Sequence, residues 1–450
     1  MSTLVLPKDQ ELPVIIREIV TNAPTSRKVP AFVASLSPLC ALCSRVRLHY
    51  YYDSRPSALL LQVLIEGAQS SGKSFAADIE SLIMDNTLKL RDQVMRREEQ
   101  EYRELKKRRR ANEKVDEEPK TTIRVVPATI SKTVLTRRAD LFQRVLKDTL
   151  TFWMFAEELA QVTDAGKQGY SNLRTIMRTA YDLGSQFGID FASENSYSAI
   201  VDINICSMFC ATPSAVDDYY DKKAIEGGNV TRCLLCPLED DLGQEGAIFI
   251  PYSPEQKRRI DNMLQHLMDA TYDENGDLQP VVNLDMTWLD KTVCKWIKQK
   301  GQEAALSGNK SLDVFRKRSS VTAFRVAALC YYLYRLEGAY DEDKMQKLSR
   351  KIYLYMAEYT LNSMLNRWGK PFEELNLKRD LSHGKQSKPI LFEQLTSPFT
   401  RDQLNLKIEE LGLTTPSRVF LYMWRQMRVI REVDKNTFEK LSTTPKLLNS

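Results

Sequence analysis

The sequence predicts an α/β protein whose core is a largely parallel sheet covered by helices on both faces. Two observations lead to this fold class. The apolar runs at 198–216 and 229–239 are too continuous for strands with one solvated face, and helical segments alternate with such runs. A glycine-rich loop at 67–74 follows an apolar run and precedes a helical one. We therefore expect a three-layer sandwich with this loop between a strand and a helix.

Composition sets the broad class of the protein. The chain has 450 residues, of which 43% are hydrophobic and 27% are charged. This length suits roughly two or three domains with a sizeable core. The net charge of +5 is too mild to identify a polyanionic partner. The N-terminus has no signal-peptide pattern, and no apolar run approaches the roughly 20 residues that span a bilayer, so a cytoplasmic protein without membrane contact is expected.

Four regions follow one another along the chain. They are an N-terminal helical segment at 1–54, an α/β core at 55–245, a helical lid at 246–390 and a helix–hairpin unit at 395–450. A charged helical insertion at about 85–120 interrupts the core, with eight basic and four acidic residues between Arg96 and Arg110. It is either a solvated arm held by local Glu–Arg pairs or an arm that contacts nucleic-acid phosphates.

Two close cysteine pairs, Cys40/Cys43 and Cys233/Cys236, have a spacing that zinc sites also use. Their surroundings are apolar and lack the polar turn residues of a zinc knuckle. The three histidines of the chain stand far apart in the sequence. We therefore expect buried thiols rather than zinc ligands.

The loop has the pattern Gly67-x-x-x-x-Gly72-Lys73-Ser74, and its strand–loop–helix context is the one a P-loop requires. In a P-loop, backbone N–H groups turn towards phosphates, the lysine reaches the β- and γ-phosphates, and the serine ligates Mg²⁺. A simple glycine-rich turn, the alternative, needs no lysine followed by serine. The residues expected to bind the nucleotide are Gly67, Ser70, Ser71, Gly72, Lys73, Ser74 and Phe75.

The expected nucleotide is ATP with Mg²⁺. A GTP-binding protein would carry the guanine-reading pattern Asn-Lys-x-Asp, which does not occur in this sequence. The nearest stretch, Asn-Lys-Ser-Leu-Asp at 309–313, has one residue too many.

Hydrolysis also needs a carboxylate near the metal and a group that polarises the attacking water. The apolar run at 150–156 ends in Glu157 and Glu158, and we expect it to be the strand adjoining the glycine loop's strand. We assign Glu157 to Mg²⁺ and its waters, and Glu158 to the nucleophilic water. Asp is usual at the first position, and the longer Glu157 favours metal coordination through water. A helix start enriched in acids is the alternative.

Two further residues are candidates for contact with the γ-phosphate. Thr212 ends a strand-like run, where it either senses the phosphate or is an ordinary strand-end residue. Arg232 follows a Gly-Gly turn. Presented to another subunit, it would act as an arginine finger that stabilises transition-state charge, and a surface arginine is the alternative. Arg325, in a lid helix, either approaches the nucleotide or packs through its aliphatic stem.

The C-terminal residues 397–441 show helix, turn, helix and hairpin signals, which together predict a winged helix. Thr400 caps the first helix, and Phe420, Leu421 and Trp424 of the second belong to the core. The edge expected to face DNA carries three arginines of the second helix: Arg418, Arg425 and Arg428. Arginines alone favour backbone contacts over base reading. A protein-protein module remains the alternative.

With these motifs in hand, the chain resembles an uncharacterised family of P-loop ATPases of bacterial mobile genetic elements, usually described as helicase-like or primase-associated. The segments IEGAQSSGKS, VPATISKTVL, FAEEL and GGNVTRCLL carry the resemblance, which covers most of residues 10–335. The acids, lid and winged helix are also similar to those of AAA+ replication helicases and initiators.

The resemblance implies an AAA+-like core, with nucleotide roles for Lys73, Ser74, Glu157 and Glu158. It also implies a homo-oligomer such as a hexameric ring, in which Arg232 acts between subunits. Many relatives carry an N-terminal primase-like part that this sequence lacks, so primer synthesis is not expected.

The function expected from the sequence is that of an ATP-dependent DNA helicase or remodelling ATPase, acting in replication or mobilisation of a mobile element. Its expected partners are single-stranded or forked DNA, further copies of the chain, and a primase or relaxase of the same element. Two alternatives stay open. One is an ATP-switched DNA-binding assembly factor or regulator that does not translocate, and the other is a P-loop small-molecule kinase.

Overall fold

The computed structural model describes most of the chain. The described residues are 6–108, 119–167, 173–190, 197–239, 246–338, 340–382, 388–410, 416–426 and 429–441. The strands are β1 Val46–His49, β2 Pro56–Ala58, β3 Gln62–Glu66, β4 Val125–Pro127, β5 Thr151–Ala156, β6 Gln186–Ile189, β7 Ala199–Asp202, β8 Asn204–Ala211, β9 Cys233–Pro237, β10 Val282–Asn283, β11 Phe399–Thr400, β12 Ile430–Asp434 and β13 Thr437–Lys440.

The α-helices cover much of the remaining chain. They are α1 Val14–Thr21, α2 Lys28–Leu42, α3 Phe75–Met84, α4 Leu90–Arg108, α5 Lys132–Leu146, α6 Leu159–Lys167, α7 Leu173–Thr179, α8 Pro213–Tyr219, α9 Lys222–Glu226, α10 Pro254–Asp269, α11 Asp290–Ser307, α12 Lys310–Glu337, α13 Glu342–Met364, α14 Lys370–Ser382, α15 Lys388–Gln394, α16 Arg401–Glu410 and α17 Ser417–Gln426.

The chain forms two compact units. The first contains residues 1–294 and 318–363, and the second contains residues 295–317 and 364–450. The unit boundaries fall within α11, α12 and α13, so the predicted lid at 246–390 contributes residues to both units.

A five-stranded parallel sheet in the order β4-β5-β8-β3-β9 is the centre of the first unit. All eight residues of β8 are buried. Because successive side chains of a strand point to opposite faces, this burial means that both faces of the sheet are covered. The predicted α/β class with a parallel sheet is confirmed.

Helix α2 packs against β3, β5 and β8, and nearly all of its residues are buried. Its Ser37 hydroxyl contacts the carbonyl oxygens of Leu61 and Ser207 at 2.8 and 3.0 Å, so the backbone of two neighbouring segments satisfies a polar side chain inside the core. The N-terminal segment thus contributes a buried helix to the core.

The β-like runs of the sequence divide between different sheets. The run at 45–52 contains β1, which forms a separate small sheet with β2 and β10. The run at 198–216 divides into β7, which pairs with β6 in a hairpin, and β8 of the main sheet. An apolar run indicates a buried strand but does not show which strand it pairs with.

The charged insertion contains helix α4, and the first half of this helix is bound to the core. On α4, the buried Asp92 accepts hydrogen bonds from the backbone N–H groups of Arg124 and Val125 at 2.7 and 2.5 Å, which satisfies donors at edge strand β4. Glu99 pairs with Arg138 of α5 at 3.1 Å. Residues 103–108 are exposed, and the last part of the insertion, 109–118, lies outside the described residues.

In the second unit, β11, β13 and β12 form an antiparallel sheet in that order, against which α16 and α17 pack. Thr400 and Gln403 exchange side chain–backbone hydrogen bonds at the start of α16, as expected of its cap. Phe420, Leu421 and Trp424 are buried in one cluster with Phe438. The predicted core positions are thus confirmed.

Each member of the two cysteine pairs is a buried free thiol, as predicted. Burial raises the pKa of Cys233 to about 12 and that of Cys236 to about 11, so both thiols stay protonated at neutral pH. None of the helices described above combines the length and apolar character needed to cross a lipid bilayer.

Candidate functional site

The glycine loop, residues 67–74, connects the end of β3 to the start of α3. The loop is tied to the carboxyl edge of the sheet, because Gly67 N–H donates to the carbonyl of Ala211 at the end of β8 over 3.0 Å. Leu238 N–H, just after β9, donates to the carbonyl of Glu66 over 2.7 Å. The predicted strand–loop–helix placement is therefore present, at the carboxyl ends of three neighbouring strands.

The loop is a tight cradle that requires glycine at its start. A Cβ atom at Gly67 would lie 2.4 Å from Ser71 Oγ and 3.1 Å from Leu238 Cδ1. Gly72 has a φ of +70°, and Ser70 also adopts a left-handed conformation with a φ of +63°. Such alternation of conformations turns successive backbone N–H groups to one side, as in anion-binding nests.

Lys73 closes the cradle from inside. Its Nζ donates to the carbonyl oxygens of Gly67 and Ala68 at 3.0 and 2.6 Å. Partial burial lowers the pKa of Lys73, while Cys210 and Glu158 act in the opposite direction. The ammonium group is thus held over the loop, where it would meet an anion bound by the backbone amides.

The side chains around Lys73 divide between surface and core. Ser74 is exposed at the position just before α3, so its hydroxyl is accessible. Phe75 is buried, and its ring stacks on that of Phe249 with centroids 5.3 Å apart. Phe75 can therefore offer a ligand its backbone N–H, whereas its side chain anchors the loop to the core.

Sequence reasoning missed Arg27, which lies beneath the loop. This side chain is only 1% exposed, and its Nη2 donates to the carbonyl oxygen of Ser71 over 3.2 Å. The contact spans 44 positions along the chain, so no local pattern in the sequence indicates it. Arg27 supports the loop from the N-terminal segment.

Glu157 and Glu158 are exposed and lie between β5 and α6. Because β5, β8 and β3 are parallel, the residues that follow β5 lie at the same edge of the sheet as the loop. Glu158 favours the charged form of Lys73. Cys210 has its pKa raised to about 12, mainly by burial, and it is influenced by both Lys73 and Glu157. The structure therefore places the predicted lysine and the two acids at the same edge of the sheet.

The predicted adjoining position of the acidic strand is wrong. Strand β8 lies between β5 and β3. Two strand spacings separate β5 from β3, which corresponds to roughly 10 Å. The apolar β8 takes the central place because that position is covered on both faces. This separation leaves room for a metal ion and its waters between the acids and the loop.

Thr212 directly follows β8, as the sequence predicted for a strand tip. Its hydroxyl, however, accepts a hydrogen bond from Ala215 N–H at 3.4 Å and lies 3.1 Å from Ser214 Oγ. The side chain therefore acts as the N-cap of α8. Any contact of Thr212 with phosphate would come in addition to this capping role.

Two arginines lie at the opposite edge. Arg232 directly precedes β9 and donates to the carbonyl oxygen of Gly228 over 3.0 Å. Because β9 runs parallel to β3, Arg232 lies at the amino edge of the sheet and the glycine loop lies at the carboxyl edge. Arg325 is 2% exposed and donates to the carbonyl oxygen of Leu60, just before β3, over 2.9 Å. Of the two alternatives for Arg325, the approach to the nucleotide does not hold, because its guanidinium is buried at the amino edge of the sheet.

A scan against protein-family models found no match to the chain, and a search of curated proteins found none either. The resemblance to P-loop ATPases of mobile elements and to AAA+ replication proteins therefore stays a prediction.

Proposed function

We propose that the chain is a P-loop ATPase that hydrolyses ATP with Mg²⁺ and couples this reaction to DNA. The observation that carries the proposal is the position of Lys73 inside a glycine cradle at the carboxyl edge of a parallel sheet, within electrostatic reach of Glu158. Ligands of open α/β sheets bind at the carboxyl ends of strands. The cradle is so close that a single Cβ at Gly67 would fill it, and it fits a triphosphate. Ser74 and Glu157 are exposed, and their oxygen atoms fit a hard cation.

Each residue has a defined task in this proposal. The loop amides and Lys73 hold and orient the phosphates, and Ser74 and Glu157 would hold Mg²⁺, the latter through water. Bound Mg²⁺ would supply neutralisation of phosphate charge. Glu158 orients the attacking water and accepts its proton. The catalytic contribution is mostly positioning and charge stabilisation, as in other phosphoryl transfers.

The C-terminal unit supports a nucleic-acid partner. Two helices pack on a small antiparallel sheet, an arrangement compatible with the winged helix that the sequence predicts. Of its expected DNA-facing arginines, Arg418 is exposed, Arg425 pairs with Glu432 at 2.5 Å, and Arg428 lies outside the described residues. We propose that this unit binds the DNA backbone chiefly through Arg418, in a homo-oligomeric helicase or remodelling ATPase of a mobile element.

Turnover of ATP with and without single-stranded, forked and duplex DNA tests the proposal. We expect DNA to stimulate turnover, Lys73→Ala to lose both nucleotide binding and turnover, and Glu158→Gln to bind ATP but turn it over about 10²–10⁴-fold more slowly. Lys351→Ala is a matched control, because that half-exposed lysine pairs with Glu11 and not with the loop. Nucleotide binding that is equal in Lys73→Ala and the unmodified chain would contradict the proposal.

Strand displacement on a forked substrate separates the motor from its rivals. A chain that binds DNA and ATP but never separates strands is an ATP-controlled switch. Turnover that ignores DNA and responds to a small acceptor molecule indicates a kinase.

A further inference from the structure

A cavity of about 270 Å³ lies between helices α1, α10 and α12 of the first unit, and none of the glycine-loop residues lines it. Most of its wall consists of six apolar side chains, two from each helix: Val14, Ile15, Met263, Leu267, Leu333 and Leu336. Ile15, Leu267 and Leu333 are at most 3% exposed, so the inner wall is part of the core. The exposed Leu336 and His266 mark the opening, and the cavity is therefore accessible from solvent.

One carboxylate belongs to this otherwise apolar wall. Glu337, the last residue of α12, lines the cavity, and its Oε1 accepts from the N–H of Ile15 over 3.4 Å. This distance makes a weak hydrogen bond. Within the described residues, the other oxygen, Oε2, is buried without a hydrogen-bond partner. A buried carboxylate with one weak bond and one unpaired oxygen costs free energy, which a suitable ligand would recover.

The charges around Glu337 favour a cation as that ligand. Burial raises the pKa of Glu337 to about 7, while the N–H groups of Val14 and Ile15 and the charge of Arg17 act in the opposite direction. His266 is the other titratable side chain of the wall. At pH 8 the carboxylate is mostly ionised, and in apolar surroundings an ionised carboxylate is stabilised by an opposite charge close to it.

A ligand that matches this wall has two parts. The apolar side chains accept an apolar body, and the carboxylate accepts from the N–H groups of an ammonium ion in a charge-assisted hydrogen bond. The terminal torsion of a glutamate is broad, so rotation of the carboxyl group turns an oxygen of Glu337 towards the cavity at little cost. An alcohol offers a donor without a charge, and an acid is repelled by Glu337.

The volume of the cavity limits the size of the ligand. A cavity of roughly 150 Å³ with apolar walls binds one benzene molecule. In proportion, the present cavity takes a molecule of about 10 non-hydrogen atoms, which is the size of a phenylpropylamine. A nucleotide is far larger, so this cavity takes a ligand of another class than the glycine loop.

On this basis we propose that the cavity between α1, α10 and α12 binds a small primary amine with an apolar body, and that Glu337 holds its ammonium group. Ile15, Leu267 and Leu333 would contact the apolar body. The bound amine would join the last turn of α12 to the first turn of α1. The site is independent of the proposed ATPase function, because it uses no residue of the glycine loop.

Calorimetric titration at pH 8 with 3-phenylpropylamine tests the proposal, with 3-phenylpropanol as the neutral ligand of similar shape. The amine should bind about 10–100-fold more tightly than the alcohol, and Glu337→Gln should remove this preference while the alcohol keeps its affinity. Glu342→Gln is the matched control, because that carboxylate accepts from the Tyr331 hydroxyl outside the cavity. Equal affinity of the unmodified chain for both ligands overturns the proposal, and so does a preference that persists in Glu337→Gln.

A larger side chain at the opening tests where the ligands bind. Leu336 is 41% exposed, so Leu336→Trp can fill the cavity from its opening, and both ligands should lose their binding. Leu306→Trp makes the same change on a leucine of α11 that is 54% exposed and lies outside the cavity, so it should bind both ligands like the unmodified chain. Melting curves check that both variants are folded.

Two outcomes of these titrations overturn the proposal. If the amine binds Leu336→Trp as tightly as the unmodified chain, it binds elsewhere on the protein. If millimolar amine does not bind the unmodified chain, the cavity holds water only. Neither outcome bears on ATP turnover, so a failure of this inference is distinguishable from a failure of the proposed function.

Discussion

Trp153 Nε1 donates a hydrogen bond of 2.8 Å to Glu80 Oε1, and both side chains are almost completely buried. Trp153 belongs to β5, which carries Glu157 and Glu158 at its end, and Glu80 belongs to α3, which follows the glycine loop. The other carboxylate oxygen of Glu80 accepts from Lys89 Nζ at 2.6 Å. This contact therefore links the strand of the acids to the helix of the loop.

The first prediction concerns this link. Trp153→Phe leaves Glu80 Oε1 without its donor inside the core, and we expect a loss of about 1–3 kcal/mol in the free energy of unfolding, measured by denaturant titration. Trp288→Phe is the control, because that indole donates to the carbonyl oxygen of Asp285 in an exposed place. If both variants lose the same free energy of unfolding, the hydrogen bond to Glu80 stabilises the fold no more than the exposed one to Asp285.

The second prediction concerns the cradle. An alanine at position 67 brings its Cβ against Ser71 Oγ and Leu238, so Gly67→Ala should cost about 1–3 kcal/mol and weaken nucleotide binding. Gly246→Ala should be neutral, because no atom lies within 4 Å of the added Cβ. The double variant Gly67→Ala/Ser71→Gly should recover part of the stability. A stable single variant with full nucleotide affinity would mean that the cradle is looser than described.

The third prediction concerns pH. Burial raises the pKa of Glu337 from 4.5 to about 7, although its carboxylate accepts from Ile15 N–H at 3.4 Å. The folded state therefore binds a proton that the unfolded state has released between these two pH values, so the contribution of Glu337 to stability declines as pH rises through this window. Glu337→Gln removes the cost of the ionised form. Its melting temperature relative to the unmodified chain should be higher at pH 8 than at pH 5.

Glu342→Gln is the control for this pH effect. A hydrogen bond from the Tyr331 hydroxyl is the main cause that lowers the pKa of Glu342, so the sign is reversed. Glu342→Gln should therefore lower the melting temperature more at pH 8 than at pH 4. Parallel pH curves for the two variants would refute the assignment of the raised pKa to Glu337.

The fourth prediction concerns DNA. If Arg418 contacts phosphate, Arg418→Glu should weaken binding to DNA of any sequence and reduce the slope of log affinity against log salt concentration by about 1. Fluorescence anisotropy at several salt concentrations measures both quantities. Arg335→Glu makes the same charge change on an exposed residue of the other unit. If both substitutions weaken binding equally, the effect is one of net charge and not of the helix face.

Local patterns in the sequence determined the elements of the fold and the chemistry of the loop. The apolar runs of β5, β8 and β9 predict buried strands because only a sheet covered on both faces accommodates them. The spacing of Gly67, Gly72, Lys73 and Ser74 predicts the cradle, because its geometry arises within one turn of backbone. The burial of Phe420 and Trp424 followed from helical periodicity in the same way.

Only the tertiary structure decided which edge each candidate residue occupies. Strand order is set by packing between distant segments, so β8 could come between β5 and β3 without any local signal. The same holds for Arg27 under the loop and for Arg325 at the amino edge. An isolated arginine in a sequence shows a charge, whereas its partner depends on contacts between residues far apart in the chain.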